Sequence, residues 1–140
     1  MIVVDASVLA NVIGDDGADG QRTRGVLRAA GDVAAPDLVD VETVAVLRKR
    51  WLAGTISDRR FASAIADLEQ LPISRYPTLP LMRRAFELRA NVTTYDASYV
   101  ALAEFLGCEL LTGDQRLAGA PGPSCTIRLL PVITAPGCDR

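Results

Sequence analysis

Apolar positions along this chain fall into two alternating kinds of stretch. The first is short and rich in β-branched or aliphatic residues: Ile2 to Val4, Val33 to Ala35, Ile73 to Tyr76, Glu109 to Thr112 and Thr126 to Leu130. Runs of three to five such residues bounded by Gly, Pro and Asp read as strands. The second kind is longer and carries helix punctuation. Ser7 to Ile13 is stopped by Gly14, and Gln21 to Ala30 by Gly31. Pro36 and Asp37 open a helix to Ala53, with Asp40 completing an approximate capping box and Gly54 as the residue after the end. Ser57 caps a helix running to Leu71, and Leu81 to Arg89 is helical. Asp96 to Leu106, ended by Gly107, is the clearest helix, and Asp114 to Ala118 reads as one helical turn. Gly14 to Gly20 and Gly119 to Ser124 read as loops.

Strands alternating with helices predict an α/β fold in three layers, a mainly parallel sheet flanked by helices. One domain is expected over residues 1–132, followed by a tail over residues 133–140. In such sheets ligands bind beyond the carboxyl ends of the strands, where strand order reverses. Asp5 follows the first strand and Asp114 follows the strand at Glu109 to Thr112, so both are expected there.

Composition narrows the chemistry. The chain is 49% hydrophobic but only 5% aromatic, a Val, Leu, Ile and Ala core suited to a buried parallel sheet. A net charge of −2 gives no basic excess, so any attraction for nucleic acid must be local. There is no histidine, which excludes Ser–His–Asp and Cys–His catalysis and leaves shifted carboxylates or a metal-activated water. Three cysteines, Cys108, Cys125 and Cys138, form neither a disulfide framework nor a zinc pattern. No apolar run reaches the roughly 18 residues that span a bilayer, and no signal segment precedes the first strand. A cytoplasmic protein without membrane contact is the expectation.

Four acids stand out by position. Asp5 and Asp96 each sit at a helix start, where capping is the ordinary role. Capping and metal binding are compatible, since one carboxylate oxygen can serve each. Glu42 has Leu38, Val39, Ala45 and Val46 as helical neighbours and no basic partner among them. Asp114 alone would pass as a turn residue. Taken together, acids after two strands, at a helix start and in an apolar helix form an oxygen-rich set of the kind hard cations prefer. Asp37 and Asp40 read as caps, and Glu104, two turns after Asp96, as a surface residue that could instead face the cluster. Among the basic residues Arg116 is the best candidate for a phosphate contact, and Trp51 reads as core. The acidic segment from Asp15 lacks the glutamate of a calcium loop, because Val26 holds its twelfth position.

At VVDASVLANV, VETVAVLRKR, YDASYVALAE and LLTGDQRL the sequence resembles the PIN-domain ribonucleases, in particular the VapC-type toxins of toxin–antitoxin pairs. The resemblance implies a PIN-like fold and a metal-dependent endoribonuclease with Asp5, Glu42, Asp96 and Asp114 as catalytic and metal-binding acids. It implies Ser7 and Thr112 as polar supporters, Mg²⁺ or Mn²⁺ as cofactor, and RNA as substrate. It also implies a homodimer inhibited by a small cognate antitoxin. The alternative is a catalytically idle PIN-like module that acts by binding protein or RNA. A phospho-acceptor receiver would need a lysine after a late strand, but the one lysine, Lys49, lies in a helix. A phosphatase of the Asp-x-Asp type would need an acid where Ser7 stands.

Overall fold

Val3 and Val4 are fully buried because their strand runs through the middle of a five-stranded sheet. The fold is that of a computed structural model in which residues 1–130 are described; the expected tail, residues 133–140, and the last two residues of the expected domain lie outside them. The strands are β1 (Ile2–Val4), β2 (Val33–Pro36), β3 (Ser74–Tyr76), β4 (Glu109–Thr112) and β5 (Ile127–Leu129). They lie in the order β3-β2-β1-β4-β5, and every pairing is parallel. Val3 stands beside Ala34 on one side and Leu110 on the other. The chain steps outward from β1 to β3, then returns to place β4 on the opposite side of β1. Strand order therefore reverses between β1 and β4.

The helices are α1 (Ala6–Gly14), α2 (Ala18–Ala30), α3 (Val39–Leu52), α4 (Asp58–Gln70), α5 (Met82–Glu87, after a 3-10 turn at Leu79–Leu81), α6 (Thr94–Leu106) and α7 (Gln115–Ala118). Right-handed crossovers put helices of the outward path on one face and those of the return on the other. Helix α6 buries every residue from Ala97 to Ala103, since it lies on β1, β2 and β4 while α5 covers its back. On the outward path α1 packs against α2, α3 and α4, and Ala10, Ile13, Leu47, Ala64 and Leu68 form a second small core among them.

The last turn of α1 carries no basic residue of its own. Its carbonyls are taken instead by three arginines from three other helices. Arg24 of α2 donates to Val12 and Asp15, Arg50 of α3 to Ala10, and Arg60 of α4 to Ile13. Orphan carbonyls at a helix end and positive charge beside them are complementary.

Several boundaries differ from the sequence expectation. Helix α2 begins at Ala18, so the acidic loop shrinks to residues 15–17. Gly20 permits this: a Cβ there would stand 1.8 Å from the Asp15 carbonyl oxygen. Helix α3 lacks the expected capping box, because Leu38 is its N-cap and makes no side-chain bond. Asp37 accepts the Thr78 hydroxyl and Asp40 pairs with Arg75, so tertiary partners claim both acids. Helix α6 starts two residues early, capped by Thr93 and not by Asp96. Helix α5 ends at Glu87, short of Arg89. Trp51 is 40% exposed, donating to Asp58 and tilted against Phe61, so it is not core.

Candidate active site

Asp5 leaves the carboxyl end of β1 in an extended conformation and caps α1. One of its oxygens accepts from the Val8 amide at 3.1 Å and the Ser7 hydroxyl at 2.6 Å. The other accepts from the Thr112 hydroxyl, at the end of β4. Thr112 Oγ1 in turn accepts the Asp114 amide at 3.0 Å, and Ser7 Oγ accepts the Gly113 amide at 3.1 Å. The ends of β1 and β4 are thus stitched together around one carboxylate, at the reversal of strand order. Gly113 fits here for want of a side chain, since a Cβ would lie 3.2 Å from Ser7 Oγ.

The other acids reach the same place from separate elements. Asp114 caps α7 by accepting the Arg116 amide at 2.8 Å. Asp96 lies in the first turn of α6, its amide held by Thr93. Glu42, in α3, accepts a 2.6 Å hydrogen bond from the hydroxyl of Tyr99, one turn along α6 from Asp96. Asp5, Glu42, Asp96 and Asp114 all line one cleft of about 370 Å³, together with Ser7, Tyr99 and Lys49. Glu104 is elsewhere, clamped by Arg84 and the Ser124 amide.

Gathering acids raises their proton affinity. The Asp5 carboxyl is pushed up first by burial, with Asp114 adding to it, while bonds from Ser7, Thr112 and Val8 pull it back. Burial also raises Glu42, with Asp96 and Asp5 adding repulsion and Tyr99 opposing. Asp96 rises through burial and through Asp114 and Asp5, with Thr93 and Arg116 opposing. Tyr99 is held strongly toward its protonated form, by burial first and then by Glu42, so it stays a hydrogen-bond donor. Among the described residues no three acids or thiols converge tightly enough to enclose a metal ion by themselves. The four acids border a cleft open to solvent, as four like charges would.

One residue of this site, Tyr99, was not singled out for it by the sequence. Tyr99 reads as one more large side chain in an apolar helix, and only its contact with Glu42 gives it a role. Lys49, one of the basic candidates for a phosphate contact in the sequence, follows Glu42 by seven residues, two helical turns, and so shares its face. A larger cavity of about 720 Å³ lies at the far end of α1. Two arginines that line it, Arg50 and Arg60, are already bonded to α1 carbonyls.

A five-stranded parallel sheet with an acidic cleft where its strand order reverses defines a carboxylate-lined α/β site, and sequence comparison supplies its class. The PIN-domain profile matches residues 2–122, and the chain belongs to that family. It is similar to Ribonuclease VapC1 of Mycobacterium tuberculosis, 43% identical over 129 residues that cover 91% of this chain and 96% of that protein. Ribonuclease VapC9 of the same organism is 41% identical over 134 residues, 94% of this chain and 99% of the relative. The fold is also that of M. tuberculosis VapC20, described as a sarcin-ricin loop cleaving toxin, with a TM-score of 0.61 and 21% identity over 86% of this chain and 96% of that one. FitAcB from Neisseria gonorrhoeae superposes with a TM-score of 0.64 and 15% identity over 91% of this chain and 96% of that one. No helix among the described residues is long and apolar enough to cross a membrane.

Proposed function

We propose that this protein is a metal-dependent endoribonuclease that hydrolyses RNA phosphodiester bonds and serves as the toxin of a toxin–antitoxin pair. The observation that carries the reading is the convergence of Asp5, Glu42, Asp96 and Asp114 on one cleft at the reversal of strand order. The naming of its 41–43% identical relatives as VapC ribonucleases supports the reaction and the toxin role.

The donor set fits a hard divalent cation. It is all oxygen, three of its acids are pushed toward protonation by burial and mutual repulsion, and a cation would relieve that. Mg²⁺ is usually held by one or two carboxylates and retains several waters, so an open group of acids suits it better than a closed cage. Asp5 and Asp96 would be the primary ligands for Mg²⁺ or Mn²⁺, with Glu42 and Asp114 holding a second ion or orienting water. When bound, the ion lowers the pKa of water and offsets charge on the phosphate. The chain's own residues do the positioning. Ser7 and Thr112 fix the Asp5 oxygens, Tyr99 fixes Glu42, and Lys49 and Arg116 stand beside the acids where a phosphate backbone would otherwise be repelled.

The same reading makes the working protein a cytoplasmic homodimer held in check by a cognate antitoxin, with residues 1–132 as the nuclease domain and 133–140 as a tail. The structural relative VapBC2 from Rickettsia felis, bound to a promoter DNA fragment, has a TM-score of 0.64 and 13% identity over 92% of this chain and 98% of that one, which supports the fold alone. The test is cleavage of a structured RNA pool with Mg²⁺ or Mn²⁺, with EDTA, and by an Asp96→Asn protein. Metal-dependent cleavage lost in the variant is expected. Equal cleavage by Asp96→Asn would overturn the reading.

A further inference from the structure

A second cleft, of about 270 Å³, lies against the acidic one and shares Asp96 and Asp114 as walls. It is bounded by the segment before α6, residues 91–93, and by the turn and helix after β4. Its floor is apolar: Val92 and Leu117 are 7% and 3% exposed, and Ala120 lies beside them. Its rim carries Asn91 and Arg116, both exposed, and neither side chain is bonded among the described residues.

We propose that this cleft is a nucleobase subsite, taking the unpaired base next to the scissile phosphate, with Asn91 and Arg116 as its specificity-determining residues. The proposal rests on the ribonuclease reading and deepens it. Continuity supports the position, because the clefts share a wall and a strand whose phosphate sits over Asp5 and Asp96 can pass its neighbouring nucleotide across it. Volume admits a base: by a share of about 30 Å³ per water, the space equals about nine waters, ample for one planar ring system. The two carboxylates in the wall, Asp96 and Asp114, offer oxygens that accept hydrogen bonds from the amino and imino groups of a base edge. An apolar floor suits a flat ring, and a guanidinium gives the planar surface on which unstacked RNA bases are commonly held. Asn91 offers a donor and an acceptor on one amide, the pairing that reads a base edge bidentately.

The experiment compares wild type, Asn91→Ala, Arg116→Ala and the double variant on an RNA library randomised around the cut, with every cleavage site mapped. Expected is continued cleavage with relaxed preference at one nucleotide flanking the cut, on the order of ten-fold, which is what one bidentate base contact supplies. On the best oligonucleotide, KM should rise in all three variants, and in Asn91→Ala, which stands outside the acidic cleft, kcat should change little. An unchanged site profile and KM in the double variant would overturn the proposal, as would loss of a protein partner's binding with RNA selectivity intact. Binding of the same library in EDTA, with cleavage arrested, is measured in parallel. Base preference there, lost in the double variant, supports the subsite even for a protein that cuts nothing. Its absence rejects the subsite while the ribonuclease reading stands or falls separately on Asp96→Asn.

Discussion

Thr112 donates its hydroxyl to the carboxylate of Asp5, 107 residues earlier in the chain, and accepts the amide of Asp114 with the same oxygen. One fully buried side chain therefore sets the geometry of two acids of the cleft and ties β4 to β1 at their carboxyl ends.

Thr112→Val keeps the shape and removes the hydroxyl. It leaves one oxygen of the buried Asp5 without its donor and the Asp114 amide without its acceptor, an expected cost of about 1–3 kcal/mol. Urea unfolding should register that loss. RNA cleavage should fall by roughly ten-fold or more, as misplacement of a reacting group does. A variant of native stability and full activity would show that the contact is ornamental.

Tyr99→Phe is the corresponding change for Glu42. The ring is 1% exposed and stays packed, so the melting temperature should move by only a few degrees. Glu42 loses its hydrogen bond to the hydroxyl and is free to swing. Activity should drop by about ten-fold, and more Mg²⁺ should be needed for half-maximal cleavage. Metal titrations that superpose for the two proteins would contradict this.

The stability of the metal-free protein should depend on pH in an unusual direction. Asp5, Glu42 and Asp96 all hold protons to higher pH in the folded chain than their ordinary values of 3.8 and 4.5. Folding then takes up protons across the window from those values to the raised ones, so these groups lower stability as pH rises through it. Acidifying from neutrality into that window should raise the melting temperature contributed by the cleft. Saturating Mg²⁺ should flatten the dependence, because ionised acids are what the cation holds. Melting curves with and without Mg²⁺ across that range check both statements.

Gly20 and Gly25 lie in the same helix and should respond oppositely to alanine. At Gly20 the new Cβ would overlap the Asp15 backbone, an overpacked position that costs about 1–3 kcal/mol. At Gly25 the nearest atom is the tip of Arg28 at 4.0 Å, so alanine should stabilise by about 0.4–1 kcal/mol. Thermal melts of the pair decide it, and neither substitution touches the acidic cleft.

The parts of this molecule legible in the sequence were those where local chemistry and global position coincide. Strands end at Asp5 and before Asp114, so two acids could be placed at strand ends from spacing alone, and the alternation of strands and helices gave the layers. Glu42 was conspicuous because nothing near it in its helix could neutralise it. Illegible were contacts decided across the chain. Tyr99 is core, and nothing in the sequence marks its hydroxyl as the donor to Glu42, 57 residues away. Asp37 and Asp40 carried good capping signals, but Thr78 and Arg75 outbid the helix for them. Glu104 was neither a surface charge nor part of the cluster, because Arg84 comes up from α5 to meet it. The bonds of Arg24, Arg50 and Arg60 to α1 were equally invisible, since no sequence pattern tells an arginine that a distant helix needs its carbonyls filled.

The stitch between β1 and β4 bears on when the protein first becomes able to act. Asp5 emerges among the first residues made, but its Thr112 donor lies in the fourth of five strands, and Asp114 follows two residues later. A chain halted before that strand holds Asp5 without its donor and a cleft short of one wall. No early fragment can therefore carry a finished site, and a growing chain stays inert until its sheet is almost complete. On the ribonuclease reading, cleavage of RNA is thereby deferred until the sheet is nearly complete.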